Sequence, residues 1–142
     1  LNDEGHKADV VTKKRVMKGK LPDGCAIRLA PPAPRMGVAE GIESAISASI
    51  LYDMPVWACV NGGLLSKWIP PEIAEEIWIF ADNDVNFCGL AKAYALANRL
   101  VTQYKRKVEI LHPETVGHDF NDLHKEMMAA GQTVETYLKV VK

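Results

Sequence analysis

The chain has 142 residues, of which 48% are hydrophobic and 25% charged, with a net charge of −1. Its length fits one domain with a substantial core, and its composition is ordinary for a globular protein. No apolar run approaches the roughly 20 residues that span a bilayer, and the opening "LNDEGHKADVV" reads as no signal peptide, so we expect no membrane partner. The first residue is leucine rather than methionine, so we expect a piece of a longer protein. Cys25, Cys59 and Cys88 are odd in number and scattered, which fits a reducing, cytoplasmic setting. The four histidines, His6, His112, His118 and His124, lack zinc spacing with them.

Charge is uneven along the chain. Residues 1–36 carry eight Lys/Arg against four Asp/Glu, a net of +4, and residues 37–142 carry nine against fourteen, a net of −5. The basic run "KKRVMKGK" (13–20) is either a phosphate-facing strip or a solvated loop. We divide the chain into an extension over 1–35 and a main domain over 36–142. In the extension, "CAIRLAPPAP" predicts a strand over 25–30 followed by a proline-rich hinge.

From residue 36, short apolar runs alternate with helical periodicity. "MGVA" (36–39) predicts a strand, and Ile42, Ala45, Ile46, Ser49 and Ile50 then share one helical face. "VWACV" (56–60) is a second strand, closed by the breaker "NGG". "IPPEIAEE" suits a short helix with an early proline, and "IWIFA" (77–81) is the third strand. A long helix follows over about 89–104, with Leu90, Tyr94, Ala97, Val101 and Tyr104 in register. "VEIL" (108–111) is a fourth strand. The tail, "FNDLHKEMMAAG" and "TVETYLKVV", predicts two more helices. Strands that are apolar throughout and alternate with helices indicate a parallel sheet covered on both faces, an α/β fold related to the Rossmann type.

Ligands of such sheets bind beyond the carboxyl ends of the strands. Glu40 follows the first strand directly, and Asp82 follows the third, with Asp84 two residues on. If the chain stays extended there, the period of two sends both aspartates the same way. Three carboxylates on one edge raise each other's pKa unless a cation lies between them. Mg²⁺ removes that conflict, taking oxygen ligands and often only one or two carboxylates. The alternatives are an Asx turn at "DND" and a Glu40 that merely complements a helix N-terminus.

These segments together, "GVAEGIESA", "IWIFADND" and "GHDFNDL", resemble the Toprim domain, the metal-binding module of bacterial-type primases, topoisomerases and some nucleases. The resemblance covers about residues 36–125 and is strongest to primases and primase–helicases of phages, plasmids and integrated elements. It implies a Toprim fold with about four parallel strands flanked by helices. It also implies Glu40 as general acid or base, or as a further metal ligand, and Asp82 and Asp84 as ligands of Mg²⁺ or Mn²⁺. "HDFND" matches a later acidic motif, making Asp119 and Asp122 further candidate metal residues. Asn121 or Asp122 would equally cap a helix. Gly41 follows the glutamate as the family pattern requires. Gly62 and Gly63 could present backbone N–H groups to a phosphate, or form a plain turn. Lys92, one turn into the long helix, faces nucleic acid or merely solvent.

The sequence departs from the pattern at two places. Ser44 stands where replicative primases often have an acid, and "VNFCG" delays to Gly89 the glycine that usually follows DxD closely. The implied function is Mg²⁺-dependent primer synthesis on single-stranded DNA from nucleoside triphosphates, alongside a helicase domain or subunit. The zinc module that such primases often carry would lie outside this stretch. Three alternatives stay open: a Toprim nuclease, a phosphohydrolase using DxD, and a non-catalytic module, either a degenerate Toprim or receiver-like. Asn86 breaks the phosphohydrolase motif. A degenerate Toprim would have lost Glu40 or the DxD, and both are present.

Overall fold

A computed structural model describes residue 19, residues 21–133 and the backbone of residues 138–141. The basic run at 13–20 lies almost wholly outside the described residues. Four strands are parallel, β1 (Arg35–Ala39), β2 (Val56–Ala58), β3 (Glu76–Phe80) and β4 (Lys107–Pro113). Four helices accompany them: α1 (Ile42–Tyr52), α2 (Gly62–Lys67), α3 (Cys88–Thr102) and α4 (Phe120–Ala130). A last strand, β5 (Leu138–Val141), runs antiparallel to β4, and the sheet order is β2-β1-β3-β4-β5.

The apolar strands are buried on both faces, as the continuous apolar runs require. Met36, Val38, Ile77, Ile79 and Ile110 face one core, closed by Leu64, Leu65 and Trp68 around α2 and by Ala93, Leu96 and Leu100 of α3. Val56, Ala58, Phe80 and Leu111 face the other, closed by Ala45 and Ala48 of α1 and Phe120, Leu123 and Met127 of α4. The alternation of side chains along each strand sorts them between these two cores.

Four expectations are corrected. The segment at 25–30 forms no strand but a single antiparallel bridge, Ile27 to Ala58, with N···O distances of 2.8 and 3.1 Å. Pro31, Pro32 and Pro34, just beyond it, limit further pairing. The Trp57 indole donates to Ala30 O at 2.8 Å, so the extension covers the β2 edge, which would otherwise present unpaired backbone groups. "NGG" opens α2 instead of breaking the chain, because the Asn61 side chain accepts from Leu64 N–H at 3.0 Å and caps it. Residues 70–75 contain a turn at 72–73 and no helix. Part of the tail expected to be helical, Leu138–Val141, is the edge strand β5, where the β-branched Val140 and Val141 suit a strand.

The buried helix faces also differ from the expected ones. α1 buries Ser44, Ala45, Ser47 and Ala48 and exposes Ile42, Ile46 and Ile50. α3 buries Gly89, Ala93, Leu96 and Leu100, while Tyr94 and Val101 are about half exposed. Among the described residues no helix is long and apolar enough to cross a membrane.

Candidate metal centre

The strand order places a topological switch point between β1 and β3, which are neighbours although β2 lies between them in sequence. The helices that follow these two strands pack on opposite faces of the sheet, which opens a crevice at the carboxyl edge. Glu40 follows β1 and Asp82 lies just beyond β3, so both acids stand at that crevice.

Asp82 is half-buried, and its Oδ1 is fully buried with no hydrogen-bond partner. Burial, then the charges of Asp119, Glu40 and Asp84, raise its pKa from 3.8 to about 7, against a smaller lowering by Lys92. The structure therefore brings Glu40, Asp82, Asp84 and Asp119 into one electrostatic neighbourhood. Asp84 is committed in part to the helix after it, since its Oδ2 accepts from Gly89 N–H at 2.9 Å. Gly89 itself lies so close that a Cβ there would stand 2.5 Å from the Asp82 carbonyl oxygen.

Asp119 and Asp122 form the capping box of α4. Asp119 Oδ1 accepts from Asn121 N–H at 2.8 Å and Asp122 N–H at 2.9 Å, and Asp122 Oδ2 accepts from Asp119 N–H at 3.3 Å. The N-cap is thus Asp119, neither Asn121 nor Asp122. Asp119 combines that role with proximity to Asp82, whereas Asp122 is not among the charges acting on Asp82.

Glu40 Oε2 lies 3.9 Å from Lys92 Nζ, a long and partly exposed pair of small energetic weight. A Cβ at Gly62 would stand 2.6 Å from Glu40 Oε2 and overlap the Lys92 chain, so α2 begins directly against this pair. A hydrogen bond with Cys88 first, then the charges of Glu40 and Asp84, keep the Lys92 pKa raised. Gly63 is crowded only by the Asn61 side chain, and a Cβ at Gly41 would make ordinary contacts. The β2–α2 connection is strained, with Val60 at φ 69 and Asn61 N–H donating to Cys59 O at 2.8 Å. A positive φ at a β-branched residue is a marked outlier. Buried Cys59 precedes it, its thiol pushed up to about 12 by burial and by the neighbouring Cys25 and Glu40.

The sequence assigns no role to Asn83, the middle residue of the DxD pattern. It is buried, and its side-chain amide donates to Pro113 O at 3.0 Å and Glu114 O at 3.2 Å. Its N–H donates to His118 O at 3.1 Å, and its own C=O accepts from Gly117 N–H at 2.6 Å. The alternation thus continues past β3: Asn83 points into the β4–α4 connection while its two neighbours stay half-buried. This latch ties the loop bearing Asp82 to the loop that ends at Asp119. We predict that Asn83→Ala costs about 1–3 kcal/mol in urea unfolding, because buried hydrogen bonds are lost without replacement. An unchanged midpoint would contradict the latch.

The Toprim domain family model matches residues 35–130. This chain belongs to the Toprim domain family. The match agrees with the extent read from the sequence motifs. A crystal structure of a DNA primase domain from Pseudomonas aeruginosa resembles this Toprim domain over 75% of this chain, at 15% identity and a TM-score of 0.49. The chain spans only 34% of that structure's length. No curated protein matches the chain.

Among the described residues no three His, Cys, Asp or Glu side chains form a cluster able to hold a metal ion by themselves. An all-protein cage is therefore not built here. The orphaned Asp82 oxygen, with further carboxylates near it, fits a hard cation that keeps several waters and takes one or two carboxylates, the habit of Mg²⁺.

Proposed function

We propose that this Toprim domain is the Mg²⁺-dependent catalytic domain of a mobile-element DNA primase, a segment of a longer protein that makes RNA primers on single-stranded DNA. The observation that carries this reading is the buried, unpartnered Oδ1 of Asp82 at the switch point, under the charges of Asp119, Glu40 and Asp84. Asp82 and Asp84 are the metal ligands, with Asp119 close by. Mg²⁺ or Mn²⁺ bound there would supply the positive charge that stabilises phosphoryl oxygens.

Glu40 is the general acid or base, with its Oε2 directed toward Lys92 and the start of α2. Lys92 carries the positive charge for a phosphate of the nucleotide or template, and the backbone at Gly41, Gly62 and Gly63 frames the same edge. Nucleoside triphosphates and single-stranded DNA are the substrates, and a helicase domain or subunit is the expected partner in replication.

Calorimetric titration of Mg²⁺ and Mn²⁺ tests the centre. Binding to the wild-type chain should vanish in Asp82→Asn/Asp84→Asn while circular dichroism shows an intact fold. Absence of wild-type binding at millimolar ion with DNA present would overturn the reading. The 142-residue chain alone should prime weakly, since a net charge of −1 gives it little overall attraction for template. Cleavage of DNA without ribonucleotide incorporation in the longer protein would move the assignment to a Toprim nuclease.

A further inference from the structure

The turn between Asp84 and Gly89 presents two apolar side chains to solvent, Val85 at 76% and Phe87 at 68% exposure. Single exposed apolar residues are ordinary. Phe87 is not, because its backbone sits in the left-handed region at φ 59 and ψ 14. Glycine or asparagine would satisfy that conformation more readily. No internal ring contact offsets this: the aromatic pairs among the described residues join Tyr52, Trp57, Trp68, Trp78, Phe80 and Phe120.

The turn is nonetheless firmly built. Phe87 N–H donates to Asp84 O at 2.9 Å, Ala91 N–H donates to Phe87 O at 2.9 Å, and Cys88 N–H donates to Asn86 Oδ1 at 3.0 Å. The phenyl ring is therefore carried on an ordered turn, on the loop that begins with Asp82 and leads into the helix bearing Lys92. Val60 and Val116, exposed at 41% and 62%, lie on the loops after β2 and β4 at the same sheet edge. A strained, exposed aromatic beside an acidic, phosphate-handling edge is the arrangement a strand of alternating bases and phosphates would use.

We propose that Phe87, flanked by Val85, is a stacking platform for a nucleobase of single-stranded nucleic acid. It deepens the function given above and rests on it. Stacking of this kind tolerates any base, because every base has a π-face.

The test uses the whole chain with saturating Mg²⁺ and fluorescein-labelled oligothymidylate, read by anisotropy, beside an abasic oligomer of equal length. Phe87→Gly suits the left-handed backbone and a helix start, so its thermal midpoint should not fall. It should bind oligothymidylate about tenfold more weakly than the wild type, the scale of one lost base stack, and bind the abasic oligomer equally well. Phe87→Trp should keep the wild-type affinity, with emission quenched by oligothymidylate and not by the abasic oligomer.

Equal affinity of Phe87→Gly and wild type for oligothymidylate would overturn the inference. So would an absence of oligothymidylate binding by a wild type that still binds Mg²⁺ in calorimetry, and the metal centre would survive either result. Loss of Mg²⁺ binding in the wild type would instead remove the functional reading itself. A change in oligomeric state in Phe87→Gly, with DNA binding unaltered, would assign the ring to a protein contact and overturn the stacking role.

Discussion

Replacing Asp82 with asparagine should make the metal-free domain more stable at pH 8. The carboxyl group has a pKa of about 7 in the fold against an ordinary value of 3.8, raised by burial and then by Asp119, Glu40 and Asp84. Below pH 3.8 the group is protonated in both folded and unfolded chains and carries no penalty. Between 3.8 and about 7 the unfolded chain ionises first, so this group's favourable contribution is lost as pH rises. Above that window the full penalty persists, about 2–4 kcal/mol at roughly 1.4 kcal/mol per pKa unit with allowance for partial exposure.

Asp82→Asn removes this penalty. Its thermal midpoint at pH 8 should rise by roughly 5–10 °C, and its stability should lose most of the wild-type slope between pH 4 and 7 (about three pH units). Millimolar Mg²⁺ should raise the wild-type midpoint at pH 8 and leave the variant unmoved, since a ligand stabilises only the fold that binds it. A variant less stable than wild type at pH 8 without metal would show that the Asp82 carboxylate is satisfied in the apo fold.

Gly89→Ala should have the opposite effect on folding. The added Cβ would stand 2.5 Å from the Asp82 carbonyl oxygen and 3.2 Å from its carbonyl carbon and Cβ. These are mostly backbone atoms with little room to retreat, so a cost of about 3 kcal/mol is expected, in the range of overpacked cores. The same displacement moves Asp82, so metal binding should fall even where the variant remains folded. Gly62→Ala provides the contrast. There the added carbon meets the mobile ends of Lys92 and Glu40, so denaturant unfolding should change by less than about 1 kcal/mol while Glu40 is pushed from its place. If Gly89→Ala unfolds at the wild-type urea concentration, the close approach of α3 to Asp82 is not what fixes that loop.

The parallel sheet was legible because "MGVA", "VWACV", "IWIFA" and "VEIL" are apolar on both faces, a demand that only a covered sheet makes. Glu40 and Asp82 were legible for a related reason: a charged residue directly after such a run can only sit at its mouth. The helix faces were harder to read. Hydrophobic periodicity favoured Ile42, Ile46 and Ile50, whereas α1 buries small residues that allow close approach. The α2 helix was hidden because two glycines weaken helical propensity, while the cap at Asn61 acts through geometry. Strand β5 depends on pairing with β4, which local propensity does not encode. Asn83 carried no signal at all, since its partners are backbone carbonyls thirty or so residues away.

The packing of α1 on α4 has a consequence beyond stability. Glu40 lies two residues before α1 and Asp119 immediately before α4, and the two helices meet through the Ser44, Ala45, Ser47 and Ala48 side of α1. His124 Nδ1 lies 3.2 Å from Ser47 Oγ within that contact. The two helices therefore act as the arms of a caliper, with the acids at the tips and the small residues setting the gap between the arms. Side-chain volume chosen well away from the carboxylates thus gauges how far apart they stand.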